Sequence, residues 1–312
     1  MLSRRNIRIK VMQALYAHNR DKAASFEDLK KGYLFSVHKS YDLYLFNLWL
    51  LSRVADYAKV DYSKKRTKLV PTEKDRNFIP KLADNPISSL LIHSEDFRRE
   101  CETHSILRMT DPDFINQLYR DFSVTEKYDA YLNKKDSDVK DHMDILLALY
   151  KFCVSHELFN DLIEDNFINW IDDKSIVLGS IKKTLKALPI SEGDFYEPFL
   201  PNAETVEDFG MTLLTLSFEK DLEYNEIIKP FLENWDFDRM AVIDRISLKL
   251  AIAEFMEFPS IPSKVTLNEY VDLSKSYSTE KSKEFVNGIL DRMLKQLIKD
   301  GKINKEGRGL VE

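Results

Sequence analysis

The chain has 312 residues, of which 44% are hydrophobic and 31% charged, and a net charge of −6. That length suits two ordinary domains, or one domain with a large insertion. The composition excludes a disordered polymer, and a core of this size needs no disulfide staples. Glycine and proline number only 8 and 10, where average usage would give roughly 22 and 16. So few turn residues exclude a sheet-rich fold and predict an all-α chain of long helices. Two cysteines, Cys101 and Cys153, make no disulfide framework and point to a reducing compartment. The first twenty residues lack the unbroken apolar run of a signal peptide, and no run approaches the ~18 residues of a membrane span. A cytoplasmic protein without membrane association is the expectation.

In chain order, a first helix is predicted over residues 3–18, capped by Ser3. Ile7, Val11 and Leu15 form its buried stripe. A second helix is predicted over 26–57, with Tyr41, Tyr44, Leu45, Leu48 and Leu51 facing the core. The cation-rich stretch 61–76 and then Pro71, Pro80 and Pro86 read as a surface loop or linker. Residues 113–188 contain no proline and a single glycine, Gly179, and read as helical. Pro189, Gly193, Pro198 and Pro201 mark a boundary, and Thr205 with Asp208 looks like the capped start of the next helix. Val242, Ile243, Ile246, Leu250 and Phe255 belong to one late helix, which Pro259 and Pro262 end. The final helix carries a double stripe, with Phe285, Ile289, Met293 and Leu297 beside Val286, Leu290, Leu294 and Ile298. Residues 159–185 match 224–250 at an offset of 65, sharing Asn169-Trp170-x-x-Asp173 with Asn234-Trp235-x-x-Asp238. A duplicated helix pair and a chance match of two amphipathic helices both explain this, and equal helix lengths would favour duplication.

Charge is unevenly placed. Residues 1–20 hold Arg4, Arg5, Arg8, Lys10 and Arg20 and no acid, a local charge of +5. Residues 295–308 hold five cations against Asp300 and Glu306, a local charge of +3. An acidic body with basic ends can bind a polyanion locally. Arginines in a first helical turn oppose the helix dipole, so their clustering suggests an anion bound there, or else a solvated basic end. No phosphate-binding glycine loop, nucleophile elbow or metalloprotease helix is present, and the acids read as solvated helix faces. Cys101 with His104, and Cys153 with His156, are C-x-x-H pairs that could each give two zinc ligands from one helix face. The pairs are too far apart for a compact finger, and buried, structural cysteines are the simpler expectation. No catalytic residue, metal or cofactor is expected.

The C-terminal region reads Asp244-Arg245, then Ile261-Pro262-Ser263-Lys264-Val265-Thr266-Leu267-Asn268-Glu269-Tyr270, and finally Lys283-Glu284-Phe285-Val286-Asn287-Gly288-Ile289-Leu290-Asp291. In order and spacing this resembles the NusB family of transcription antitermination factors. Arg4-Arg5-Asn6-Ile7-Arg8 followed by Gln13-Ala14-Leu15-Tyr16 resembles the family's first helix. The resemblance covers residues 1–20 and 205–298. It implies a NusB-like bundle of two helical subdomains with a large helical insertion. The expected layout is N-terminal helices over 1–60, an insertion of unassigned role over 61–200, a NusB-like C-terminal subdomain over 201–300 and a flexible basic tail over 301–312.

The resemblance further implies a non-enzymatic protein that binds boxA-like single-stranded RNA with the ribosomal protein NusE. Together these would serve the RNA polymerase antitermination complex and support ribosomal RNA transcription. The matching RNA-binding positions are Arg4, Arg5, Arg8, Gln13, Ser282, Lys283 and Phe285, Lys281 joins them as an added positive charge, and Tyr16 falls at the partner surface. Three positions depart from the family pattern. Lys281 stands where an acid is usual, Glu284 where lysine is common and Met240 where an acid is frequent. Phe285 also heads an apolar stripe and suits a core position. The alternatives are a helical protein-interaction scaffold without RNA binding, an RNA methyltransferase carrying a NusB-like domain, and a metal enzyme built on the C-x-x-H pairs. The +5 first helix speaks against the scaffold, and the match running to Leu297 leaves no catalytic domain for the methyltransferase.

Overall fold

Fifteen α-helices and no strand make up the described residues of the computed structural model, which are 1–188, 194–232 and 236–310. The first five are α1 (Arg4–Arg20), α2 (Phe26–Arg66), α3 (Glu73–Asn77), α4 (Pro86–His93) and α5 (Glu95–Thr103). Then come α6 (Pro112–Ser123), α7 (Glu126–Asn133), α8 (Val139–Ser155), α9 (Glu157–Asn166) and α10 (Trp170–Ala187). A π-helical stretch, Glu204–Met211, leads into α11 (Thr212–Glu219) and α12 (Asp221–Ile228). The last three are α13 (Val242–Glu257), α14 (Ser263–Tyr277) and α15 (Ser282–Lys299).

Local chemistry explains most boundaries. Ser3 caps α1 reciprocally: its hydroxyl accepts from the Asn6 amide at 3.5 Å, and Asn6 Oδ1 accepts from the Ser3 amide at 3.1 Å. Pro86 and Pro112 sit in the first turns of α4 and α6, behind the caps Asn85 and Asp111. These prolines start helices as well as separating them. Helix α2 runs nine residues past the expected end at 57, to Arg66. Its charged final turns look like loop, yet Lys65 pairs with Asp61 one turn back, and Lys64, Lys65 and Arg66 lie at the dipole's negative end. The structure starts the region after 200 differently from expectation. Asn202, not Thr205, turns the chain, accepting the Val206 amide on its carbonyl at 2.9 Å.

The chain divides into two compact units, one of Met1 and His38–Leu200, the other of Leu2–Val37 and Pro201–Glu312. The boundary expected at 60/61 falls inside unbroken α2, whose residues from His38 onward belong to the first unit. There, residues 40–52 are buried on every side and not along a stripe. Ser40 and Asn47, buried polar groups of this stretch, are paired within that unit. Ser40 donates to Asp173 at 2.6 Å, and Asn47 accepts from Tyr150 at 2.9 Å while donating to the Leu43 carbonyl. Helix pairs 159–185 and 224–250 do not share boundaries. Helix α10 begins at Trp170, whereas α13 begins at Val242, seven residues later in the alignment. Unequal helices argue against duplication; Asn234 and Trp235, like Pro189 and Gly193, lie outside the described residues.

In the second unit α13 is the central helix. Asp244 and every residue of 246–255 are buried, and α1, α11, α12, α14 and α15 pack around it. On α15, Val286, Ile289, Leu290, Met293 and Leu297 are buried, whereas Ile298 is exposed, so one stripe faces the core and the second drifts to the rim. Residues 301–310, expected to be free, dock onto this unit. Lys305 Nζ donates to the carbonyls of Phe258 at 3.0 Å and Glu254 at 3.2 Å, and the Glu306 amide donates to the Pro259 carbonyl at 3.0 Å. Burial holds the Lys305 ammonium below its usual pKa.

Gly210, in the π stretch, lets the chain pass close to α1 and α2. A Cβ there would lie 1.9 Å from the Tyr33 hydroxyl and 2.5 Å from Ile7 Cγ2. Tyr33 cannot easily yield, because it is buried and donates to the Val206 carbonyl at 2.9 Å. Gly210→Ala is therefore expected to destabilise the protein by about 1–3 kcal/mol through overpacking, read as a lowered midpoint in thermal or urea unfolding. An unchanged midpoint would show that Tyr33 can move aside.

Candidate nucleic-acid interface

The five cations of the first twenty residues do not form one basic face. Arg8 and Lys10 are buried, at 4% and 2% exposure. Arg8 turns inward, and its guanidinium forks onto Glu254 of α13, Nε to Oε2 at 2.8 Å and Nη2 to Oε1 at 2.6 Å. Glu254, 0% exposed, also accepts from Thr266 at 2.7 Å and Tyr270 at 3.1 Å. Four donors thus satisfy its two oxygens. The Phe209 and Tyr270 rings flank the guanidinium at 5.2 and 5.9 Å. Burial alone would lower the Arg8 pKa, but the hydrogen bonds and charge of Glu254 outweigh it and hold the value above that of free arginine. Arg8, expected among the RNA contacts, is a core residue here with no route to a phosphate.

Arg4 and Arg5 stay at the surface, with acids beside them. Arg4 is 3.4 Å from Glu204; Arg5 is 3.2 Å from Asp272 and 3.8 Å from Glu269 on α14. These acids and the Ser3 cap supply the negative partners for which the sequence suggested a bound anion. At 100° per residue, Arg5, Gln13, Tyr16 and Arg20 share one flank of α1. Arg5, Tyr16 and Arg20 are exposed there, and Gln13 is half-buried.

The second group stands where α14 gives way to α15. Lys281 and Lys283 are exposed, each next to an exposed acid, Glu280 and Glu284. Ser282 between them is buried and donates to Asp244 Oδ2 at 2.7 Å, while its oxygen accepts from the Thr279 amide at 3.2 Å. Ser282, also expected to touch RNA, is a structural link between the start of α15 and the start of α13. Phe285, one turn on, is half-buried. Asp244, 4% exposed, has no cation against it among the interactions described, and burial raises its pKa. In the sequence Asp244, Thr266 and Tyr270 stand out only as parts of a motif, and Glu254 does not stand out at all. A lone carboxylate inside the otherwise apolar run 250–255 is the available signal, because such a group demands a buried cation.

The C-x-x-H pairs do not converge on a metal. His104 Nδ1 lies 2.6 Å from Asp42 Oδ1, and His156 Nε2 lies 3.1 Å from Asp121 Oδ2. Both thiols are buried; burial raises that of Cys101 and pushes that of Cys153 up to about 12, against the thiolate that zinc requires. Among the described residues no group of three or more His, Cys, Asp or Glu could hold a metal ion, and no helix is long and apolar enough to cross a membrane.

The NusB family model matches residues 192–295. The transcription antitermination protein NusB of Salinibacter ruber (strain DSM 13855 / M31) is 35% identical over 138 residues, spanning 42% of this chain and 86% of that protein. The chain belongs to the NusB family. The NusB proteins of Chloroherpeton thalassium and Natranaerobius thermophilus are 37% and 45% identical, and the chain spans about half of each, 50% and 54%. The solved structure of T. maritima NusB is 31% identical, with 38% of this chain and 87% of that chain covered and a TM-score of 0.29. Membership makes this an all-α protein of a non-enzymatic, antitermination family. The family model covers α11 to α14 and most of α15, and leaves nearly all of the first unit outside.

Two outcomes follow from the buried carboxylates. Arg8→Met strands Glu254 and should cost about 3–5 kcal/mol, whereas Arg8→Met combined with Glu254→Met should cost less than the single change. Urea unfolding of the pair checks this, and a double variant weaker than the single one would contradict it. For Asp244 the folded pKa lies above the ordinary 3.8. Its contribution to stability is therefore fully present below that value and declines as pH rises through the window above it. Asp244→Asn should abolish that decline, so the stability of the variant relative to wild type rises from pH ~4 upward; a pH-independent difference would argue against it.

Proposed function

We propose that the protein binds boxA-like single-stranded RNA together with the ribosomal protein NusE, in the cytoplasm, within the RNA polymerase antitermination complex that supports ribosomal RNA transcription. The observation carrying this reading is the exposed lysine pair at the start of α15, Lys281 and Lys283, inside the segment matched to the NusB family. Lys281 and Lys283 hold phosphates, and the half-buried ring of Phe285 offers its open part to a base. Arg4 and Arg5 add phosphate contacts by exchanging their carboxylates, because exposed ion pairs of this kind contribute only about 0–1 kcal/mol. Gln13 and Tyr16 lie further along the Arg5 flank, Gln13 toward RNA and Tyr16 toward the protein partner. Arg8 and Ser282 act as positioning residues: one fixes α1 on α13, the other fixes the start of α15.

Filter binding of a boxA-like RNA, with and without NusE, tests this across a salt series. Lys281→Ala with Lys283→Ala should weaken binding and flatten the slope of log K against log salt by about 1–2, since each single-strand phosphate contact contributes ~0.7. Arg5→Ala should have a smaller effect of the same sign. Unchanged affinity and slope in the lysine double variant would remove these residues from the interface. NusE binding without any RNA affinity would support a protein-interaction scaffold instead.

A further inference from the structure

Outside the family-matched segment, α8 and α10 of the first unit enclose a cavity of about 720 Å³. Leu147, Ala148 and Val154 of α8 and Leu178 and Gly179 of α10 line it, and Lys127, Lys151 and Lys182 stand exposed around it. A second cavity of about 320 Å³ shares Lys127, Asp144 and Ala148 with the first, so the trough continues along α8. From Asp141 to Ser155 it follows about 21 Å of helix, which suits a polypeptide better than a single small molecule. A Cβ on Gly179 would meet nothing within 4 Å, so a neighbouring helix can approach closely there. Among the described residues no ion pair or hydrogen bond engages Lys127, Lys151 or Lys182.

The same helix carries the complementary feature. Ile168, in the turn before α10, and Ile171, in its first turn, are 95% and 80% exposed. Just before them, Glu164 and Asp165 end α9, both exposed. Ile171, Leu178 and Lys182 follow at spacings of seven and four, which puts them within about 40° on one face of α10. That face is therefore apolar and acid-flanked at its start and lysine-rimmed toward its end, with Gly179 at its edge.

We propose that this face binds a second copy of the chain, with two α10 helices antiparallel about a two-fold axis near Ser175, which sets Ile171 of each against Leu178 of the other. Each copy sets Ile168 and Ile171 into the trough of the other, and Glu164 and Asp165 of each face Lys151 and Lys182 of the other. A two-fold interface must be self-complementary, with the same patch on both partners, and a patch with acids before the start of α10 and lysines beside its later turns meets that condition when the two α10 helices run antiparallel.

Sedimentation and light scattering of the full chain test the proposal. Wild type should run at twice the 36.6 kDa chain mass at roughly 100 µM and dissociate as salt is raised. Lys151→Glu with Lys182→Glu, Glu164→Lys with Asp165→Lys, and Ile171→Asp should each weaken dimerisation by about tenfold or more. An equal mixture of the first two variants should restore it, because every reversed contact then faces its opposite. These substitutions fall on exposed residues, and circular dichroism confirms that each variant folds. A wild type that stays monomeric, a dimer indifferent to all three changes, or a mixture no tighter than its parts would each overturn the proposal.

Discussion

The flank of α1 that the second unit offers to a ligand is oriented by the fork between Arg8 and Glu254. A buried ion pair is a poor source of net stability, because desolvating two charges costs about as much as their attraction returns. Its value here lies in register. Glu254 has donors from α1 and from two turns of α14, at Thr266 and Tyr270, and Lys305 hangs from its own carbonyl. Sliding α1 by one residue on α13 would strand a carboxylate in the core. The fork thus fixes which flank of α1 faces outward, and with it the directions of Arg5, Gln13 and Tyr16.

That constraint changes the electrostatics of the proposed interface. A first helix with five cations and no acid reads as a strong basic edge. In the fold, two of the five are buried and two more are matched by Glu204, Glu269 and Asp272. At α15, Lys281 and Lys283 alternate with Glu280 and Glu284. Few phosphates can be neutralised by such a surface, so counter-ion release alone gives modest affinity. An RNA-binding role on these terms draws its strength from a protein partner engaged at the same time, which suits the proposed joint binding with NusE.

Features set by neighbouring residues were legible in the sequence. The Ser3 cap, the helix that follows it, the proline breaks and the stripe of the last helix all depend on contacts within a few positions. Directions set by distant residues were not. Nothing within one turn of Arg8 says that it will fold inward while Arg5 stays out, because the deciding carboxylate lies 246 residues away. Ser282 looked like an RNA contact for the same reason, its partner Asp244 being 38 residues back. The tail looked free because its anchors, the carbonyls of 254, 258 and 259, are backbone groups with no sequence signature. The end of α2 was misplaced because charge density reads as loop, whereas pairs one turn apart sustain a helix.

The charge polarity of α10 bears on the first unit in the same way. Acids in a first turn and lysines in a last turn answer the helix dipole, which accounts for the placing of Asp172, Asp173 and Lys186. The dipole does not account for Lys182, which lies a full turn before the last one, nor for Lys151 on another helix. It is equally silent on two isoleucines left in water beside a cleft lined by leucine, alanine and valine. Isolated exposed apolar residues are ordinary. Ile168 and Ile171 together, at the start of the helix whose later turns line an apolar trough, form a surface patch of the kind that marks association. The lysines around that trough then fix the sign of what fills it, and the acids of α9 supply that sign from within the same chain.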